Sequence, residues 1–289
     1  MKSRWLSGMA RNIHLLFLFL KKMAHRLQHR PWLMRLPFLS LREKLYYKFY
    51  AQRAGEFKDL YQSAHLAFLP NVQLQLVPTD SSHQWIALTG FYELILTRTI
   101  VKLAKEGGVL VDAGANFGYY SCLWAGLNPN NRVIAFEPSP LCLPHLKGNV
   151  MQNNLGGKVE IREIALGKEN GTALFDLGPN EQTGWGGFAL SAGERQAEVR
   201  VARLDDILED IVSHKPVDVL KIDVEGADTW VLLGAKNVLR DKKIKHIFFE
   251  ENSTRMRPLH IAHNEAVRFL QSFGYTVKYL TQSIVYAHS

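Results

Sequence analysis

Four residues at one turn of the chain carry its first chemical signal. In "VLVDAGANFGYY", residues 109–120, an apolar run ends in Asp112 and is followed by Gly114, Asn116 and Gly118. Glycines after a strand let the backbone take positive φ and approach a ligand closely. Asn accepts similar turn geometry and adds side-chain hydrogen bonds. On this reading Gly114 is the point of close approach to the ligand, and Gly118 lets the next helix start tightly against the strand. Glu137, 25 residues beyond Asp112, closes a second apolar run, "RVIAFEP". A carboxylate there can accept both hydroxyls of a ribose. A dinucleotide fingerprint would need glycine at 114, 116 and 119, where this chain has Gly, Asn and Tyr. The Gly-Lys-Ser/Thr of a P-loop is also missing. An acid at Asp112 would repel a pyrophosphate. It suits a cofactor bearing a sulfonium and an ammonium, which is the chemistry of S-adenosylmethionine. The plain alternative is a structural strand-to-helix turn with no ligand.

The elements that must position these residues alternate from about residue 108. "GVLVDAG", "RVIAFEP", "KVEIREIAL", "VDVLKID" and "IKHIFFE" read as strands, and "YTVKYL" and "SIVYAH" as a terminal hairpin. Helices are predicted over "FGYYSCLWAGL", over "SPLCLPHLKGNVMQNN" with Pro140 in its first turn, and over "RLDDILEDIV", "ADTWVLLGAKNVL" and "HNEAVRFLQSFG". Near-continuous apolar strands between helices call for a mostly parallel sheet covered on both faces. Asp112, Glu137, Asp223 and Glu250 then all stand at carboxyl ends of strands, where open α/β sheets bind ligands. The stretch from Gly167 to Glu198 breaks the alternation. It holds one extra strand, "TALFD", and a Gly-rich loop with Trp185, whose length inside a compact domain marks it as a candidate lid.

Charge is divided unevenly. Residues 1–60 carry 13 Lys or Arg against three acids, a balance of +10, and the remaining residues sum to −2. The basicity belongs to an N-terminal extension, residues 1–85, ahead of a domain over 86–289. Within it, Ile13 to Leu20 form an apolar octet between Arg11 and Lys21-Lys22. Eight residues are far short of the roughly 20 that span a bilayer, and no small-residue cleavage site follows. A cytoplasmic protein is expected. Residues 11–30 would lie against the inner face of an anionic membrane, or else pack as a helix on the domain. Cys122 and Cys142 offer no metal spacing and read as small core residues.

Taken in order, "VDAGANFGYYS", "AFEPSP", "REIALG", "RLDDIL" and "LKIDVEGAD…VLLGA" resemble the FkbM-type methyltransferases. The likeness runs from about residue 88 to 280, beginning at "TGFYE". The resemblance implies a Rossmann-like class I methyltransferase fold with a central, mostly parallel seven-stranded sheet. It also implies S-adenosylmethionine-dependent O-methylation of a sugar, glycolipid or other hydroxylated metabolite. Carried over by position, the cofactor contacts are Asp112, Gly114, Asn116, Gly118 and Glu137, with Ile164 and Ala165 near the adenine and Glu93 on the methionine side. Asp228 departs from the pattern, which usually has Glu.

A hydroxyl acceptor loses its proton as the new bond forms, so a base must stand within reach. The candidates are Asp223, Glu225 and Glu250, with Asp223 foremost. Glu225 and Asp228 are equally well explained as acids at a helix N-terminus. A sharper expectation is that Asp223, Glu250 and Glu251 converge on Mg²⁺, which would acidify the acceptor. It requires adjacent strand residues to face the same way. His260 and His263 are further candidates for a base or a substrate contact. Two other functions compete with the small-molecule or glycan acceptor. A nucleic-acid methyltransferase would suit the basic arm, but the chain lacks an Asn/Asp-Pro-Pro-Tyr/Phe motif and an attacking cysteine after the fourth strand, and the domain is net acidic. A non-catalytic cofactor-binding protein is the third.

Overall fold

The structure, a computed structural model, describes residues 30–179, 182–189, 193–212 and 216–289. The apolar octet Ile13–Leu20, and all of the expected membrane segment except Arg30, lie outside the described residues. Among those described, no helix is long and apolar enough to cross a membrane.

Seven strands form the central sheet: β1 Val109–Ala113, β2 Arg132–Phe136, β3 Val159–Arg162, β4 Val217–Ile222, β5 Ile244–Glu250, β6 Thr276–Tyr279 and β7 Ile284–His288. Their hydrogen-bonded order is β6-β7-β5-β4-β1-β2-β3. Only β7 runs against its neighbours; the pairings from β5 through β3 are parallel. The order reverses at β1 and β4, so their carboxyl ends flank the crevice that this topology leaves for a ligand. Alternation along each strand sorts side chains to two faces. Leu110, Val133 and Val219 enter one apolar cluster, and Val111, Ile134 and Leu220 the other. Helices cover both, as the unbroken apolar strands require.

Three sequence expectations need correcting. The helix expected from Ser139 begins at Leu143, so Pro144 rather than Pro140 occupies its first turn. The helix expected over residues 227–239 is two, Asp228–Leu233 and Lys236–Arg240. They part because a β-carbon on Gly234 would lie 2.1 Å from the Gly167 carbonyl oxygen, and because the Asp205 carboxylate accepts the Asn237 and Val238 N–H groups that open the second helix. The expected third strand also divides after Arg162. Ala165–Leu166 joins a second, four-stranded sheet with Gln196–Ala202, Gly171–Asp176 and Gly187–Phe188. The stretch that broke the alternation is therefore largely a small sheet.

The described part of the N-terminal extension, residues 30–85, is built into the same core. Helix α1, Leu39–Leu45, leads into irregular helical turns up to Tyr61, and α2, Ser81–Thr89, precedes α3, Leu94–Ala104. Met34, Tyr46, Leu60 and Tyr61 share one apolar cluster with Leu110 and Val219 of the central sheet. The division expected at 85/86 falls inside α2. Two buried guanidiniums close the end of that helix: Arg30 Nε donates to the Ala87 carbonyl at 2.7 Å and Arg42 Nη1 to that of Thr89 at 2.9 Å. Neither faces a carboxylate in these bonds; the partial negative charge of a helix C-terminus is what they answer. Burial holds Arg30 down to about 9 and Arg42 to about 10.

Candidate active site

The carboxyl ends of β1, β2, β4 and β5 open into a cavity of about 830 Å³. Its wall takes Ala113 to Phe117 from the first loop, Glu137 to Ser139 from the second, Ile164 to Leu166, Ile222 to Glu225, and Glu250. Leu74, Leu76, His83, Tyr92, Glu93 and Leu96 complete it from the N-terminal side. Six carboxylates and two cationic side chains line it, giving a surface that favours a positively charged occupant.

The first loop takes the shape its residues allow. Gly114, Asn116 and Gly118 have φ of 75°, 51° and 86°. The close approach at Gly114, however, is to protein rather than ligand: a β-carbon there would lie 1.9 Å from the Asp223 carbonyl oxygen. Gly118 stands behind the wall, where a β-carbon would meet Leu146 at 2.6 Å. Asn116 carries a buried Oδ1 with no partner, an acceptor left for a ligand N–H or O–H. Glu137 takes the Asn116 N–H on Oε2 at 2.7 Å and the Ser139 N–H on Oε1 at 2.9 Å. Each oxygen keeps a lone pair for a ribose hydroxyl. Burial pushes this carboxyl up to about 7, against those two N–H bonds.

Asp112 is not on the wall. Its Oδ2 accepts the Ser121 hydroxyl at 2.6 Å, and its Oδ1 lies 3.4 Å from Lys221 Nζ. The charge that seemed to choose the cofactor is therefore answered inside the protein. Lys221 is the strand-register partner of Asp112. Its ammonium also bonds the Gly114 carbonyl at 3.1 Å, stands 3.4 Å from Asp223 Oδ2 and lies over the Tyr120 ring. Burial lowers the pKa of Lys221, but Asp223, Asp112 and Glu93 together outweigh it and raise the pKa well above the ordinary value.

Around Asp223 the structure brings together Glu93, Glu225 and Glu250. Asp223 is tied by its N–H to the Ala113 carbonyl at 3.0 Å and keeps its side chain a third exposed. Glu93, at φ 41°, accepts the Tyr120 hydroxyl at 3.1 Å. Burial and the nearby Asp223 push Glu93 up to about 8, opposed by Lys221 and Tyr120. The same two causes take Glu225 up to about 8, eased by Arg255 at 3.3 Å, and raise Glu250. Asp228 lies behind the wall, buried, with Oδ1 accepting the Glu250 N–H at 3.0 Å. It ties α7, Asp228–Leu233, to the end of β5 and is pushed up to about 7 by burial.

The metal arrangement is not formed. Glu251 points away from Asp223: it accepts the Asn264 N–H at 3.0 Å and the Tyr279 hydroxyl at 2.5 Å, and pairs with His263 at 3.4 Å. Successive strand residues face opposite sides, so Glu250 lines the cavity and Glu251 does not. Among the described residues, no three potential ligands are placed so that they could hold one ion. His263 is spent on Glu251, and His260 is exposed away from the cavity.

Trp185 does reach the cavity, half-exposed, with the Arg255 guanidinium 5.2 Å from its ring centre. The residue that holds this loop is Asp80. Its Oδ1 accepts the Ser82 and His83 N–H groups that open α2, while Oδ2 accepts the Thr183 N–H at 2.6 Å and hydroxyl at 2.9 Å. His83 is buried against Phe117, and burial lowers it to about 4, so it is neutral beside Asp80.

Sequence reasoning missed Lys221, Asp80, Tyr120 and Arg255. A signal existed for Lys221: a lone lysine in an apolar strand, two residues before Asp223, shares that residue's face. Asp80 preceding Ser81-Ser82 is a helix N-cap pattern, but nothing local announces its second partner 103 residues away.

A doubly flanked, mostly parallel seven-stranded sheet, with an acidic cavity at its switch point, defines a Rossmann-like class I methyltransferase fold. The chain belongs to the methyltransferase FkbM domain family, which it matches over residues 112–277. Methyltransferase 1 of Beauveria bassiana is 28% identical over 150 residues, 45% of this chain and 59% of that protein. The hexuronic acid methyltransferase AglP of Haloferax volcanii is 29% identical over 143 residues, 50% of this chain and 56% of that protein. The 31-O-demethyl-FK506 methyltransferase FkbM of Streptomyces tacrolimicus is 27% identical over 203 residues, 60% of this chain and 74% of that protein. The chain thus spans little more than half the length of the first two.

Proposed function

We propose that this chain is an S-adenosylmethionine-dependent O-methyltransferase whose acceptor is a hydroxyl of a sugar, a glycolipid or another hydroxylated small molecule. The observation that carries this reading is the placement of Asp223. Its carboxylate lines the cavity while its backbone is locked to the cofactor loop through Ala113 and Gly114. The names of AglP and of the FK506 enzyme, which act on a hexuronic acid and on a demethylated hydroxyl, support the acceptor class.

The cavity suits the cofactor. Glu137 would hold the ribose, Ile164 and Ala165 would flank the adenine, and Glu93 with Asn116 would meet the cationic methionine end. When bound, the cofactor supplies an already activated methyl carbon, so the protein's main task is to align an acceptor oxygen in line with it. Asp223 accepts the acceptor's proton as the bond forms. Glu225, held protonated at neutral pH by burial and by Asp223, can donate a hydrogen bond to a neighbouring acceptor oxygen. Trp185 offers a ring on which an apolar sugar face can rest, and excludes water. A polynucleotide is not favoured by this acidic wall. The buried free thiols Cys122 and Cys142 are in keeping with a reducing, cytoplasmic setting.

The test is to incubate the full chain with methyl-labelled cofactor and a fractionated lysate. Label in glycolipid, polysaccharide or a small hydroxylated compound supports the proposal. Label confined to RNA or protein overturns it.

A further inference from the structure

Six of the large apolar side chains that the fold leaves exposed belong to the stretch Trp32–Phe49 and to α3, which packs beside it: Trp32 at 69%, Phe38 at 66%, Leu41, Tyr47, Phe49 and Ile95. Leu41 and Lys44 are exposed on α1, with Phe38 exposed just ahead of it and Lys48 in the turn that follows, while Arg42 and Tyr46 are buried. Helix α3 extends this surface. Arg98 reaches Ser40 across the two helices, and Ile95 and Arg98 are exposed on its outer side. The Lys48 ammonium lies 5.1 Å from the centre of the Phe49 ring. The segment from Trp32 to Tyr50 holds a single acid, Glu43, which is attracted to Arg98.

Aromatic and aliphatic side chains mixed with Lys and Arg, and with almost no acid, are what an anionic lipid interface attracts. The rings enter the headgroup boundary while the ammonium groups meet phosphates. The charge of the folded segment points the same way, since residues 30–60 carry seven Lys or Arg against three acids. A protein partner would have to bring its own carboxylates to match this rim; an anionic bilayer presents negative charge over its whole plane. We propose that the face formed by Trp32, Phe38, Leu41, Phe49 and Ile95, rimmed by Lys44, Lys48 and Arg98, docks the folded enzyme on an anionic membrane surface. This goes beyond the expectation for residues 11–30, because it assigns the contact to the folded body.

The experiment is flotation of the full chain with vesicles of phosphatidylcholine, alone or mixed with phosphatidylglycerol. Binding is expected only with the anionic lipid and should weaken as salt is raised. In the full chain, Trp32→Ser, Phe38→Ser and Phe49→Ser together should lower vesicle affinity at least about tenfold, since each loses a ring from the interface. Lys44→Glu with Lys48→Glu should do the same. All five positions are exposed, so a thermal melt and cofactor binding should match the parent. A control variant in the apolar octet, Phe17→Ser with Phe19→Ser, separates the two segments. Three outcomes overturn the proposal. The parent chain fails to float with either vesicle; the triple variant binds like the parent, whatever the octet variant does; or the parent runs as a dimer that the triple variant dissociates, which would assign the face to a second copy.

Discussion

A β-carbon added to Gly114 would stand 1.9 Å from the carbonyl oxygen of Asp223. Two backbones, one forming the loop after β1 and one carrying the proposed base, are thus in contact through the absence of a side chain. Gly114→Ala must push them apart and also adopt φ near 75°, which alone costs about 1–2 kcal/mol. Both the melting temperature and cofactor affinity should fall. Parent-like values for both, by thermal melt and calorimetry, would contradict this account.

Asp223→Asn keeps the shape and removes the base. Methyl transfer should drop about 10²–10⁴-fold, with cofactor affinity little changed, because the loop contact is made by the residue-223 carbonyl. Steady-state rates beside equilibrium binding test the split. A loss of binding as large as the loss of rate would move Asp223 from proton acceptor to cofactor ligand.

Lys221→Met leaves Asp112 buried without its cation. Stranding one member of a buried ion pair costs about 3–5 kcal/mol, so the variant should unfold at lower denaturant. Adding Asp112→Asn should restore part of the loss. If the double variant is no more stable than the single one, Lys221 acts on something other than Asp112.

Four buried carboxyls sit above their ordinary range: Glu137 and Asp228 at about 7, Glu93 and Glu225 at about 8. The folded state binds their protons more tightly than the unfolded chain does. Their contribution to stability is therefore complete below the ordinary carboxylate pKa and is lost as pH rises through about 7 to 8. The protein without cofactor should melt lower at pH 8 than at pH 6. A cationic cofactor favours the ionised forms, so its binding near pH 7 should release protons. Calorimetry in buffers of different ionisation enthalpy measures this; proton uptake on binding would refute it.

Asp80→Ala removes a helix cap, worth about 1 kcal/mol, and frees Thr183. The loop bearing Trp185 should then open more readily, raising KM for the acceptor more than for the cofactor. Trp185→Ala should show the same bias without the stability loss. Equal changes in both KM values would place the loop outside acceptor binding.

The central sheet was legible because β1, β2, β4 and β5 are short, nearly continuous apolar runs, the pattern that a parallel sheet covered on both faces imposes. Glu93, Asn116, Glu137, Ile164, Ala165, Asp223, Glu225 and Glu250 all line the cavity at the carboxyl ends of the strands. What could not be read were relations across the sequence. Asp112 reads as a ligand-facing acid until Lys221 is seen opposite it. Gly114 reads as room for a ligand until the Asp223 carbonyl is seen filling that room. The strand Gln196–Ala202 does alternate, with Ala197, Val199 and Val201 on the packed face and Glu198 and Arg200 exposed, a period-two signal of a half-exposed strand that sequence reasoning passed over.

Much of one cavity wall, from Leu74 to Leu96, lies ahead of the segment that matches the family, residues 112–277. The chamber is thus built jointly by the family segment and by residues encoded ahead of it. On the proposed reading, substitutions at Leu74, Leu76 or Leu96 would reshape that wall without touching Glu137, Ile164 or Asp223, whereas Glu93 in the same stretch belongs with the cofactor.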